Sequence, residues 1–122
     1  FEECMLVLSL DGQDQKEAFS AVFTDLGTVY VEQDDLLKAR DYFENALAKD
    51  GGNMDAVEML AAANEQIGDH VAALNNYIRL CEMRHHHFGS MHTLTQQSIE
   101  KVRKLMVETG KNVHLPDWFY TD

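Results

Sequence analysis

Four histidines within eight positions, His85, His86, His87 and His92, are the side chains of this chain best suited to holding a metal. Imidazole nitrogens are common ligands of zinc and nickel. Adjacent residues of a helix diverge by about 100°, so three in a row do not converge on one ion there. A loop could fold them inward, but neither a Cys nor a carboxylate is arranged beside them, and no metal site is expected. Cys4 and Cys81, the only cysteines, stand far apart and without C-x2-C spacing. They read as small apolar residues of a protein in a reducing, cytoplasmic compartment. The carboxylates fall into no acid/base constellation and read as solvated helix faces. With no Gly-rich phosphate loop, nucleophile elbow or H-E-x-x-H, neither an enzyme nor a cofactor is expected.

What remains is binding, and the charge says of what kind. The net charge is −11. Residues 1–69 hold 16 Asp and Glu against 4 Lys and Arg, a balance of −12, whereas residues 70–122 hold 5 against 6. A nucleic-acid partner needs a basic face to neutralise phosphates and is not expected. The acidic half favours a basic partner segment. There is no run of about 18 apolar residues, so no membrane span is expected. Phe1 to Leu8 lack the basic start and cleavage site of a secretory signal, and the chain reads as a piece of a longer protein.

The elements that must position any binding surface are helices. Of 122 residues, 45% are hydrophobic, one is Pro and none form alternating β-branched runs, which makes the chain all-helical. Phe1, Cys4, Met5 and Leu8 suit the end of a helix that begins upstream. Asp14, with Glu17 three residues on, predicts an N-cap for a helix reaching about Gln33. Asp34-Asp35 then turns the chain into a second helix, Leu36 to Lys49. Asn53 caps a third, Met54 to Ile67, which Gly68 stops in a left-handed conformation. Asp69 caps a fourth that ends near Met83, leaving Arg84 to Gly89 as a loop or frayed end. A last helix runs from about Ser90 to Thr109, with Met91, Leu94, Val102, Leu105 and Met106 as its apolar stripe. The tail contains Leu115, Pro116, Trp118, Phe119 and Tyr120, a dense aromatic cluster that favours docking over an exposed end.

Phe23-x2-Leu26-Gly27-x2-Tyr30, followed by Ala39-x3-Phe43, recurs at one constant offset as Val57, Leu60, Ala61, Asn64, Ala73 and Tyr77. Large residues spaced by three and four mark one helix face, and the small Gly27 and Ala61 mark close approach of a partner helix. The pattern and its offset resemble the tetratricopeptide repeat, W-x2-L-G-x2-Y…A-x3-F on a 34-residue period. Phe23 replaces the preferred Trp, and Gly51 the preferred Pro. The resemblance is strong for residues 20–53, moderate for 54–87 and partial beyond. It implies an all-α solenoid of antiparallel helix pairs in one domain: the end of a preceding helix at 1–12, repeats at 20–53 and 54–87, a long capping helix at 88–110 and an aromatic tail at 111–122. In register, Val57 maps onto Met91 and Leu60 onto Leu94.

In tetratricopeptide proteins the leading helices line a concave groove. The resemblance therefore implies a partner-binding surface made of Thr24, Asp25, Thr28 and Glu32, then Asp55, Glu58, Met59, Ala62, Glu65 and Gln66, then His92 and Gln96, with Thr93, Ile99 and Glu100 beside them. Thr24, Thr28 and Met59 stand where the chaperone carboxylate clamp of that family carries Lys, Asn and Arg, which argues against chaperone tails. The expected function is an interaction module binding a basic and apolar peptide or helix in an acidic groove, with self-association through the aromatic tail as a further expectation. The alternative is a structural solenoid segment of a larger scaffold with no groove ligand of its own.

Overall fold

The computed structural model describes residues 12–89 and 91–110 together with Leu115 and Phe119. Five helices follow one another: α1 Gly12–Glu32, α2 Leu36–Lys49, α3 Met54–Ile67, α4 His70–Phe88 and α5 Thr93–Thr109. Among the described residues there is no strand. Each helix packs on the next, and α1 also touches α3. Connections of two to four residues force consecutive helices into antiparallel pairs. The expected helix end of residues 1–10 lies outside the described residues.

Local chemistry accounts for the turns, and it does so twice. Asp34 (φ 61°) and Gly68 (φ 99°), one repeat period apart, both take the left-handed conformation that ends a helix. Asp35 and Asp69, separated by the same interval, cap the following helices by accepting from the backbone N–H groups of Lys38 and Ala72. The Gly68 N–H reaches back to the carbonyls of Asn64 and Glu65, satisfying acceptors the helix end leaves open. Asp14, expected as a cap, instead lies in the first turn of α1, which begins at Gly12. There its negative charge still complements the helix dipole.

Burial follows the same offset. Gly27, Ala39 and Phe43 are buried in the first hairpin, and Ala61, Ala73 and Tyr77 in the second. A methyl group on Gly27 would come within 2.8 Å of three ring carbons of Phe43, so the glycine is what lets α1 lie against α2. Phe23, Leu26 and Tyr30 are only half-buried. Tyr42 stacks on Tyr30 with ring centroids 5.3 Å apart and meets Phe23 at 6.2 Å. A small core of Ala39, Phe43, Leu60 and Ala63 joins α2 to α3. A larger one runs from Val57 and Ala61 through Leu74, Tyr77 and Leu80 to Ile99, Val102 and Leu105.

Asn53 brackets the two hairpins. Its side-chain oxygen caps α3 by accepting from Ala56 N–H at 3.1 Å. Its amide donates to the Ser20 hydroxyl at 2.8 Å and to that of Thr24 at 3.3 Å. Ser20, fully buried, donates its own proton to the Ala46 carbonyl at 2.7 Å. Asn53→Ala is therefore expected to cost about 2 kcal/mol, roughly half from the cap and half from the bonds to α1. Asn53→Asp keeps the cap but brings no proton to Ser20 or Thr24, so urea denaturation should show it destabilised as well. An Asp variant as stable as wild type would mean the bracket contributes nothing.

The fourth helix corrects the sequence reading. It does not stop near Met83 but runs on through Arg84 and the three histidines to Phe88, where Gly89 (φ 85°) ends it with its N–H on the His85 carbonyl. No residue between Met83 and Gly89 breaks a helix, and histidines in a last turn suit the negative end of the dipole. The consequence is felt in α5. Its buried residues are Thr95, Ser98, Ile99, Val102 and Leu105, whereas Met91 is 72% exposed and Leu94 36%. Thr95, Ser98, Ile99 and Val102 thus take the places of Val57, Leu60, Ala61 and Asn64, at a spacing longer than the repeat period. The excess of four is about one helical turn.

Candidate functional site

The residues expected to line a groove stand in different environments. On α1, Asp25 and Glu32 are exposed. Thr24 and Thr28 are half-buried, and their hydroxyls donate to the carbonyls of Ser20 and Thr24 one turn back. On α3, Asp55 and Gln66 are exposed and Ala62 is half-buried. Met59 packs on the small core together with Tyr30 and Val31, so it serves the α1–α3 contact. On α5 the shifted register buries Ile99. His92 caps that helix, its Nδ1 accepting from Leu94 N–H at 3.1 Å while its ring stacks on Phe88. Gln96 is half-buried.

Two of the five groove carboxylates are already engaged. Glu58 pairs with Arg84 of α4, and Glu65 pairs with Lys101 of α5 at 2.8 Å. Arg84 also donates to the Leu94 carbonyl at 3.1 Å and the Ser98 hydroxyl at 2.7 Å, tying α3, α4 and α5 together. The uncompensated acidity of this surface is thus carried by Asp25, Glu32 and Asp55, for which no ion pair occurs among the described residues.

A pocket of about 220 Å³ opens between α3, α4 and α5, with Tyr77 and Leu80 among its lining and Glu58, Arg84, Ser98 and Lys101 around it. Lys101 lies 5.6 Å from the Tyr77 ring centroid. Beside it is a shallower depression of about 480 Å³, lined among the described residues by Gln97, Glu100, Lys101 and Lys104. In the shifted register Gln97, Glu100 and Lys104 correspond to Met59, Ala62 and Gln66. Sequence reasoning named Glu100 but missed Gln97 and Lys104, along with Arg84 and Lys101, and it gave Tyr77 a packing role alone. The usable signal was Ile99-x2-Val102-x2-Leu105, whose face places Gln97, Glu100 and Lys104 beside it.

Burial, reinforced by Glu65 and Glu58 and opposed by Arg84, pushes the Tyr77 phenol from 10.0 up to about 12. Burial, with Glu82 adding and Arg84 opposing, pushes the Cys81 thiol from 9.0 up to about 11. Such a thiol is no nucleophile at neutral pH. Both groups ionise earlier in the unfolded chain than in the folded one. Their stabilising contribution is therefore complete below about pH 9 and disappears as pH rises through about 11 and 12. Urea midpoints should fall across that window, and Cys81→Ala should remove the earlier part of the fall.

The histidines sit on the last turn of α4, with His86 and His87 exposed. No cluster of three or more His, Cys, Asp or Glu able to hold a metal occurs among the described residues. No helix of the described residues is long and apolar enough to cross a membrane. Of the aromatic tail, Leu115 and Phe119 are buried in the larger core, and Arg103 lies over the Phe119 ring and donates to its carbonyl at 3.4 Å. Trp118 and Tyr120 lie outside the described residues. Phe119 is thus taken up within its own chain rather than presented for self-association. Neither protein-family models, curated proteins nor solved structures yield a match to this chain.

Proposed function

We propose that this chain is an interaction module of the tetratricopeptide type that binds a basic, partly apolar peptide across its leading helices α1, α3 and α5. The observation that carries the reading is the duplicated hairpin. Left-handed turn residue, Asp cap, small residue and facing ring all recur at the same offset. Helix pairs repeated in this way stack so that equivalent faces share one surface. The α1–α3 contact and the Glu65–Lys101 pair between α3 and α5 fit that stacking. Asp25, Glu32 and Asp55 then supply the attraction for basic residues.

Binding of a Lys- and Leu-rich peptide should weaken as salt rises, because the carboxylates concerned are exposed. Reversing both Asp25 and Asp55 to Lys should reduce affinity roughly tenfold at low salt. Reversal of Glu58 or Glu65 is a poorer test, since it breaks an internal ion pair and so perturbs the fold as well. Affinity indifferent to salt and to the Asp25/Asp55 reversal would assign binding to another face. The alternative, a solenoid segment packed within a larger scaffold, draws on the exposed apolar side chains of the first hairpin, where Val29 is 44% and Leu37 58% exposed.

A further inference from the structure

We infer that the chain associates with itself head to tail, the turn between α1 and α2 of one copy docking on the corner between α4 and α5 of the next. The packed pairs are successive helices plus α1 with α3, so these two surfaces lie at the two ends of the stack. Neither surface uses Asp25 or Asp55, and the inference goes beyond the groove reading without resting on it.

Both surfaces leave apolar side chains in water. Phe88, Met91 and Leu94 are three of the seven large apolar side chains exposed among the described residues, and they fall within seven positions. Local contacts gather them at one corner. The His92 ring stacks on Phe88, His92 Nδ1 accepts from the Leu94 N–H, and Arg84 donates to the Leu94 carbonyl. At the other end Val29, in the last turn of α1, and Leu37, in the first turn of α2, are exposed on either side of the connection. Covering such patches is favourable, and charge selects which covers which. Residues 29–45 hold five Asp and Glu against two Lys and Arg, and Glu32, Asp34, Asp41 and Glu44 are exposed. Residues 83–99 hold neither Asp nor Glu. Two α1–α2 turns brought together would set like charges against each other. The α4–α5 corner against that turn does not, and its exposed His86 and His87 add attraction once they take up protons. The other charged groups on the helices around these histidines are few. Glu82 and Arg84 lie on α4, Glu58 of α3 is paired with Arg84, and α5 has no carboxylate before Glu100. His92 of α5 uses its Nδ1 lone pair as a cap, which leaves His86 and His87 as the groups that gain charge without breaking the fold.

Sedimentation equilibrium of the 122-residue chain from about 10 µM to about 1 mM spans the range of a weak interface. The mean mass should rise with concentration beyond that of a dimer, because a head-to-tail contact leaves both ends open. Leu37→Ser and Met91→Ser each blunt one surface at its most exposed apolar side chain. Either variant alone should associate at least about tenfold more weakly than wild type. Mixed, they should form one-to-one dimers with the wild-type affinity, the intact corner of the Leu37 variant holding the intact turn of the Met91 variant. A Met91→Ser chain that associates as wild type does would mean that like turns pair. A Leu37→Ser chain that does so would mean that like corners pair, and either result overturns the inference. So does a wild-type chain that stays monomeric to the highest concentration. Association should also strengthen about threefold from pH 8 to pH 6, the effect of exposed ion pairs formed as imidazoles take up protons. His86→Gln combined with His87→Gln should remove that gain. A double variant that keeps it would overturn the charge pairing on which the head-to-tail direction rests.

Discussion

Gly27→Leu is expected to destabilise the protein by about 1–3 kcal/mol, and more if the chain cannot adjust. Even the first carbon of a new side chain would fall within 2.8 Å of the Phe43 ring, whose residue is fully buried and has no space to retreat. The α1–α2 contact must therefore open, and with it the stacked Tyr30–Tyr42 pair and the Ser20 bond to the Ala46 carbonyl. Gly27→Ala separates the two terms. Ala is better than Gly in a helix by about 1 kcal/mol, so a net loss of stability in that variant measures overpacking alone. Thermal unfolding of both variants checks the expectation. A Leu variant that melts with wild type would show that the hairpin does not depend on this approach, and the repeat reading would lose its centre.

The second large effect lies at the far end. Phe119→Ala is expected to cost about 3–5 kcal/mol, the range for removing a fully buried aromatic ring. Phe119 is 2% exposed and belongs to the same core as Val57, Tyr77, Ile99 and Leu105, so its loss leaves a cavity beneath α5. Arg103, which lies over the ring, loses its cation–π partner as well. Phe119→Leu keeps most of the apolar volume and should lose clearly less. Urea denaturation of the two variants gives the answer. A Phe119→Ala chain within about 1 kcal/mol of wild type, close to the size of a surface effect, would mean that the tail contributes nothing to the core.

Much of the fold could be read from residue order because its signals are local. A cap needs an oxygen within three residues of the N–H it accepts from, and Asp35, Asn53 and Asp69 supply one at each start. A helix stop needs a residue that tolerates positive φ, and Gly68 is such a residue. The bounds of α2 and α3 follow from these signals, as does the pairing of small with large residues across the first hairpin. The candidate site was less legible. Asp25, Glu32 and Asp55 stand exposed as expected of solvated groove carboxylates, but Glu58 and Glu65 do not act as free charge.

Sequence by itself thus determined an all-helical chain, the positions of its first turns, its duplicated pattern and the acidity of its first half. Only tertiary structure decided what α5 presents. The histidine run extends α4 to Phe88, and that added turn moves the register of α5 by about one turn as well, burying Ile99 and turning Gln97 and Lys104 outward. The ion pairs Glu58–Arg84 and Glu65–Lys101 join residues far apart in the chain, and Phe119 reaches a core that begins at Val57. None of these contacts has a local signature. A helix transmits a one-turn change in its length to everything after it, and the partner of a charge is set by where the helices lie, not by what stands next to it in the chain.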